Sequence, residues 1–218
     1  MNNFKKDLNA EQELGKYLDE YFYPRCQELQ NVERITDMGS QFKGIDVKAK
    51  YSSNEILIDE KGYLSIANIG STFALELSYL NKSGNRKKGW LFDESKDTTH
   101  YLFCWNKRNE DVSHKHVEKG DFHYIMAMLV ERTKLQEYLF RKYGIDSVTA
   151  EERVDEILNS SRTGSLDVLG VETKSKYYYS VGLPEQPINI VMQKTELQSI
   201  CEKYYLVKKS ELTEPKKF

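Results

Sequence analysis

A single amphipathic segment followed by a series of short apolar runs constrains the fold of this chain more than any other feature. Apolar residues recur at helical spacing over residues 8–29, and Pro24 is expected to kink or end that helix. The loops that follow are too short for crossover helices, so the runs predict a mostly antiparallel sheet. The predicted strands lie at residues 32–36, 44–49, 55–61, 73–80, 89–92 and 101–105.

The second half of the chain continues the alternation of strands and helices. Two apolar runs each end in a basic residue and are followed by Thr133 or Thr195, which are predicted to cap the next helix. Thr149 and Glu152 have the spacing of a capping box, which predicts a further helix over residues 150–158.

The length and the absence of any linker-like segment predict one domain. A chain of 218 residues suits a single domain. We expect a core of about residues 8–143 and a C-terminal elaboration of strands and helices at residues 144–210. The predicted fold class is α/β, more narrowly α+β, with a mixed and mostly antiparallel central sheet flanked by helices.

Composition excludes several classes of protein. Apolar residues make up 39% and charged residues 30% of the chain, and the longest apolar runs are far shorter than the roughly 20 residues of a membrane span. No apolar segment follows the lysines near the N-terminus, so no secretory signal is predicted. The three cysteines, Cys26, Cys104 and Cys201, have the spacing of neither a disulfide framework nor a zinc site. We therefore expect a cytoplasmic protein with no membrane contact.

The charge pattern narrows the functional classes further. A net charge of −2 argues against a protein that coats nucleic acid through bulk electrostatics, but not against an enzyme with clustered acids. Basic residues at 86–88 and 107–108 either contact phosphates or are solvated loop charges, and His114 and His116 are interpreted as solvated. The fifteen tyrosines either pack in the fold or stack on bases. The sequence contains no glycine-rich phosphate loop, serine-hydrolase elbow or HExxH helix.

Two acidic residues and a lysine occupy adjacent strand segments. Side chains alternate along a strand, so Asp59 and Lys61 project from one face, while Glu60 projects from the other. The turn at residues 52–54 allows the segment that carries Asp46 to fold back beside Asp59. The two carboxylates are then predicted to bind one hard divalent cation, Mg²⁺ or Mn²⁺. Lys61 would orient an attacking water or offset charge in the transition state of phosphodiester hydrolysis.

The order Asp46, a gap, Asp59, any residue and Lys61 resembles the signature of the PD-(D/E)xK nuclease superfamily. Ile45 stands where that family often has proline. The resemblance covers about the first half of the chain and looks most like small bacterial or phage proteins of unassigned nuclease type. It implies a restriction-endonuclease-like core and magnesium-dependent cutting of nucleic acid, with DNA favoured. It also implies a homodimer, because many relatives cut both strands with two sites.

Two further acids are candidates for the same site. Glu11 is predicted to lie in the apolar stripe of the first helix, and the resemblance implies an additional metal-binding acid there. The alternative for Glu11 is a helix-start residue favoured by the helix dipole. Glu76 would join the metal shell or position a water if its strand lies next to the Asp59 strand. The alternative is an exposed glutamate on a half-buried strand.

The sequence thus predicts a metal-dependent nuclease in which Asp46, Asp59 and Glu11 hold the metal and Lys61 serves the nucleophile. A protein of the same fold that binds nucleic acid or a protein partner without cutting is the main alternative. A third interpretation is a structural module in which Lys61 only pairs with Asp59 or Glu60. The choice between DNA and RNA, the strandedness and sequence specificity of the substrate, and the biological role stay open.

Overall fold

A computed structural model describes residues 3–215 of the chain. The α-helices are α1 Asn3–Tyr21, α2 Met38–Phe42, α3 Arg132–Tyr143, α4 Ser147–Asn159 and α5 Lys194–Ile200, and short 3₁₀ turns occur at Tyr23–Arg25, His114–His116 and Lys119–Asp121. The strands are β1 Leu29–Arg34, β2 Val47–Tyr51, β3 Asn54–Tyr63, β4 Thr72–Leu80, β5 Arg86–Lys88, β6 His100–Arg108, β7 Phe122–Glu131, β8 Gly164–Val168, β9 Lys176–Tyr179, β10 Ile188–Gln193, β11 Lys203–Lys208 and β12 Leu212–Thr213. Within residues 3–215, no helix is both long enough and apolar enough to cross a bilayer.

The chain divides into two compact units that are interleaved in sequence. The first unit contains residues 3–70, 97–131 and 201–215, and the second contains residues 71–96 and 132–200. These segments do not follow the division near residue 143 that the sequence suggested. That both units belong to one domain stays a prediction.

The first unit is built on a seven-stranded mixed sheet. Its strand order is β1-β2-β3-β6-β7-β11-β12, and each neighbouring pair is antiparallel except β3 and β6, which run parallel. The chain between β3 and β6 includes β4 and β5, so this connection is a crossover. The predicted mixed and mostly antiparallel sheet is therefore confirmed.

Helix α1 supplies the core on one face of this sheet. Leu14 and Leu18 belong to the same buried cluster as Ile56 and Ile58 of β3, and all four side chains are at most 3% exposed. The predicted range extended too far at its C-terminal end, because α1 ends at Tyr21, but the expected break at Pro24 is confirmed, since Pro24 lies in the 3₁₀ turn that follows. Proline lacks the backbone N–H that an α-helix requires and fixes its own φ, which explains the early end.

The second unit contains a five-stranded antiparallel sheet in the order β5-β4-β10-β9-β8, together with α3, α4 and α5. A buried carboxylate, Glu196, is a centre of polar contacts in this unit and is only 9% exposed. Its two oxygens accept hydrogen bonds from five side chains, Tyr138, Lys142, Tyr143, Thr173 and Ser175. The unit is therefore an α+β arrangement held partly by a fully hydrogen-bonded acid.

Three local predictions for the second unit were wrong. Residues 89–92 form no strand, and the strand before them is Arg86–Lys88. Gly89 is needed there because a Cβ would lie 2.3 Å from the carbonyl oxygen of Glu76. Helices α3 and α5 begin one residue before the threonines that were predicted as caps. The capping box of α4 is formed by Asp146 and Thr149, not by Thr149 and Glu152.

The turn between β2 and β3 generates a first prediction. Ser52 and Ser53 have φ values of 48° and 70°, a left-handed conformation that costs a residue with a Cβ about 1 kcal/mol. We expect Ser53→Gly to raise the free energy of unfolding by up to about 1 kcal/mol, measured by urea denaturation. Ser160→Gly, at a φ of −83°, is the control and should give no increase. A less stable Ser53→Gly protein would contradict this turn geometry.

Glu196 generates a prediction about acid stability. Although burial opposes ionisation, hydrogen bonds from Lys142, Ser175 and the other donors lower the pKa of Glu196 to about 2. The ionised form thus stabilises the fold above pH 4.5, and this stabilisation is lost as pH falls toward 2. We expect Glu196→Gln to cost about 2–3 kcal/mol at pH 7 and much less near pH 2, by urea denaturation. Glu137→Gln, at an exposed site, should cost little at either pH.

Candidate functional site

Asp46 and Asp59 lie close together beside the β2–β3 hairpin. Val47 pairs with Ile58, and Asp46 lies in a bend just before β2, where its N–H donates to the carbonyl of Ile58 at 2.9 Å. This contact places Asp46 next to the residue that precedes Asp59. The two carboxyl groups are close enough to share a hydrogen bond. The predicted approach of these two acids is therefore confirmed.

Lys61 completes a compact charged group with the two acids. Its Nζ lies 2.8 Å from Oδ2 of Asp59. Ile56 and Ile58 of the same strand pack with α1, so by alternation Asp59 and Lys61 leave the opposite face of the sheet. Burial would lower the pKa of Lys61, but the charges of Asp59, Asp46 and Glu11 outweigh burial and raise it. The ammonium group is therefore charged at neutral pH and held by the carboxylate two residues earlier.

Burial dominates the ionisation of Asp59, which is only 5% exposed. It raises the pKa of Asp59 to about 7, against the opposing effect of Lys61 and with a further increase from the negative charge of Asp46. A carboxyl group with a pKa near 7 is partly protonated at neutral pH. A cation that binds there replaces the proton and balances the charge of the carboxylate.

Glu60 anchors the same strand on the opposite face. Its carboxylate receives two hydrogen bonds from Arg34, at 2.7 and 3.0 Å, and one from the hydroxyl of Tyr23 at 2.6 Å. The backbone N–H of Glu60 donates to Oδ2 of Asp46 at 2.8 Å. Glu60 therefore has two roles. Its side chain pairs with Arg34, and its backbone N–H holds the carboxylate of Asp46.

A cavity of about 470 Å³ borders the site on the side of α1, and Glu11, Arg34, Asp46 and Glu60 line part of it. Glu11 lies on the same side of α1 as Leu14 and Leu18, as its helical spacing predicted, and lines the cavity together with Leu14, but its side chain is exposed and not buried in the core. Its charge nevertheless acts on Lys61. A role for Glu11 as a metal ligand stays a prediction.

Glu76 is not brought to this group by strand pairing. It lies on β4, whose hydrogen-bonded neighbours are β5 and β10. Glu76 was predicted to join the site only if its strand lay next to the Asp59 strand, and that condition is not met.

The other candidate residues mostly have roles within the fold. Arg86 donates to the carbonyl of Gln186, Lys88 to the hydroxyl of Ser147, and Lys107 pairs with Glu110. Arg108 is buried, and its guanidinium group donates hydrogen bonds to the backbone carbonyls of Leu64, Ile66 and Val112. Within the described part of the chain, no group of three or more His, Cys, Asp or Glu side chains is arranged to hold a metal.

Comparisons with family models, with curated proteins and with solved structures found no match to this chain. The functional interpretation therefore depends on the geometry of Asp46, Asp59 and Lys61. Sequence reasoning missed the contribution of Arg34, because only the sheet register shows that β1 brings it to Glu60. The available signal was the alternation of Glu60 with Ile56 and Ile58, which places this glutamate on the apolar face of its strand, where a carboxylate requires a cationic partner.

The neighbouring carboxylates generate a prediction about ionisation. In protein without divalent metal, the carboxyl group of Asp59 should titrate near pH 7 when followed by carbon-13 NMR. Asp46→Asn should lower that pKa, because it removes a negative charge from the neighbouring residue. Glu55→Gln, an exposed change on the same strand, is the control and should leave it unchanged. An Asp59 pKa near 4 in the unaltered protein would contradict the burial and pairing described here.

Proposed function

We propose that this protein is a metal-dependent phosphodiesterase that cuts nucleic acid, with DNA as the favoured substrate. The observation that supports this most directly is the close approach of Asp46 to Asp59, which also pairs with Lys61, at the β2–β3 hairpin. The charged group follows the residue order of the PD-(D/E)xK signature. The helix, the antiparallel hairpin and the parallel strand β6 are also compatible with a restriction-endonuclease-like core.

The donor atoms of the site fit a hard divalent cation. Asp46 and Asp59 would hold Mg²⁺ or Mn²⁺, because carboxylate oxygens are the ligands that these ions prefer. When bound, such an ion supplies charge for polarising the phosphodiester and for activating a water. Glu11 would contribute from the bordering cavity, directly or through a water.

The residues of the chain have separate tasks in this proposal. Burial raises the pKa of Asp59 to about 7, so a cation held there at neutral pH would displace a proton from the fraction of Asp59 that is protonated. Lys61 keeps its proton and places a positive charge where charge develops on the phosphate oxygens. Glu60, through its N–H, fixes one oxygen of Asp46 and leaves the other for the cation.

The main alternative is binding of nucleic acid or of a protein partner without cutting. Two observations favour it: Lys61 already pairs with Asp59, and residues 3–215 contain no group of three acids arranged for a metal. In a protein of that kind the buried pair is structural, and Mn²⁺ would not bind near Asp59. A homodimer and a cytoplasmic location stay predictions under either function.

The proposal predicts loss of cutting in two variants. Purified protein should nick or linearise plasmid DNA with Mg²⁺ or Mn²⁺ and not with EDTA. Asp59→Asn and Lys61→Met should each lower the rate by about 100-fold or more, because they remove a metal ligand and a positive charge from the transition state. Asp111→Ala and Lys115→Ala, which remove matched charges from exposed or half-exposed positions outside the site, should cut at the normal rate.

Titration calorimetry with Mn²⁺ separates the two functions. The nuclease should bind Mn²⁺, and Asp59→Asn should abolish that binding while circular dichroism shows a folded protein. Undiminished cutting by both site variants would show that the assigned residues are wrong. Absence of both cutting and Mn²⁺ binding in the unaltered protein would favour the non-catalytic alternative.

A further inference from the structure

Two lysines of β2 share the face of the sheet that carries the candidate site. Val47 and Ala49 point toward α1 and are at most 2% exposed, so the alternating Lys48 and Lys50 point the other way, as Asp59 and Lys61 do on β3. Lys48 and Lys50 pair with Leu57 and Glu55, two and four residues before Asp59, so at a rise of about 3.4 Å per residue they originate roughly 7 and 14 Å from Asp59 along the hairpin. They extend in one line away from Asp59.

Unlike several other lysines of the first unit, these two form no ion pair within the described part of the chain. Lys16, Lys43 and Lys119, for example, form ion pairs with acids on the surface. Lys48 and Lys50 make neither an ion pair nor a side-chain hydrogen bond anywhere in residues 3–215. Lys50 is exposed and Lys48 is half-exposed. Their ammonium groups therefore keep all of their donors available to a ligand.

Two acids also lie on this face and limit its positive charge. Glu33 on β1 is opposite Lys48, and Glu55 on β3 is opposite Lys50. Neither acid pairs with the lysine that it faces. The charge of Lys48 also reaches Asp37, but that carboxylate is held mainly by the backbone N–H of Ser40. The face as a whole is near neutral, so a negatively charged ligand binds favourably only where its charges contact the lysines.

We propose that Lys48 and Lys50 form a phosphate-binding track that guides one strand of a nucleic acid to Asp46, Asp59 and Lys61. The inference rests on the proposed function, since the track leads to that site. The lysine ammonium is a compact charge on a flexible stem and contacts phosphate without reading bases. Alternate residues of a strand present such charges in a line, as a phosphate backbone requires. The facing glutamates reduce binding of nucleic acid outside this line.

The test is DNA binding in EDTA, where no cutting occurs. Affinity of the full chain for a labelled DNA duplex is measured by fluorescence anisotropy between about 50 and 200 mM salt. The double variant Lys48→Ala with Lys50→Ala should bind several-fold more weakly. The slope of log affinity against log salt should become shallower by about 2, because two phosphate contacts are lost. Glu33→Gln with Glu55→Gln should bind more tightly.

A matched lysine provides the control. Lys115 lies in the 3₁₀ turn that packs against α1, on the other side of the sheet, and its side chain also has no partner among the described residues. Lys115→Ala should leave the affinity and the salt slope unchanged. An equal loss of DNA affinity in Lys115→Ala would mean that net charge alone controls binding. That result would overturn the proposed phosphate-binding track.

The outcomes distinguish the track from the proposed function. If the unaltered protein binds DNA and the double lysine variant binds equally well, the track is wrong while the nuclease proposal stands on its own assay. If the lysine variant loses binding but the unaltered protein never cuts with Mg²⁺ or Mn²⁺, the track holds and the nuclease proposal fails. If the unaltered protein does not bind DNA even near 50 mM salt, the track is overturned.

Discussion

The geometry of the candidate site depends on holding two carboxyl groups close together while one of them is buried. Asp46 lies beside Asp59, which is almost completely buried. Neighbouring carboxylates repel each other, and burial raises the cost of ionising Asp59. Lys61 offsets part of this cost through its contact with Asp59. An arrangement that is unfavourable for folding alone, and favourable for capturing a cation, is typical of functional sites.

The site is supported from the other face of the same strand. Arg34 and Tyr23 hold the carboxylate of Glu60, and the N–H of Glu60 holds Asp46. The middle residue of the Asp-Glu-Lys triplet thus has a structural role, while its two neighbours face the proposed substrate. Lys48 and Lys50 continue that outward face along β2. One hairpin therefore combines an anchor, a candidate catalytic group and a candidate contact for phosphates.

Much of this hairpin could be predicted from the sequence, because strand alternation and a short turn are local properties. The facing of Asp59 and Lys61, the return of the Asp46 segment and the opposite direction of Glu60 follow from them. The side of α1 on which Glu11 lies also followed from helical spacing, but its exposure did not, because the extent of the core beneath a helix depends on tertiary packing. Which strand lies beside the strand of Glu76 also depends on tertiary structure and does not follow from the local sequence. Pro24 indicated the early end of α1. The prediction of helix beyond Pro24 gave too much weight to the apolar residues that recur there.

The ion pair between Arg34 and Glu60 also acts as a check on strand alignment during folding. A slip of β3 by one residue would turn Ile56 and Ile58 outward and bring Asp59 and Lys61 beneath α1. Arg34 would then lose its two hydrogen bonds to Glu60 and keep only Asp19 of α1 as an ionic partner. Misaligned hairpins are thereby penalised twice, by lost apolar burial and by a lost ion pair. The register that buries Ile56 and Ile58 and pairs Arg34 with Glu60 is therefore also the register that brings Asp46 beside Asp59.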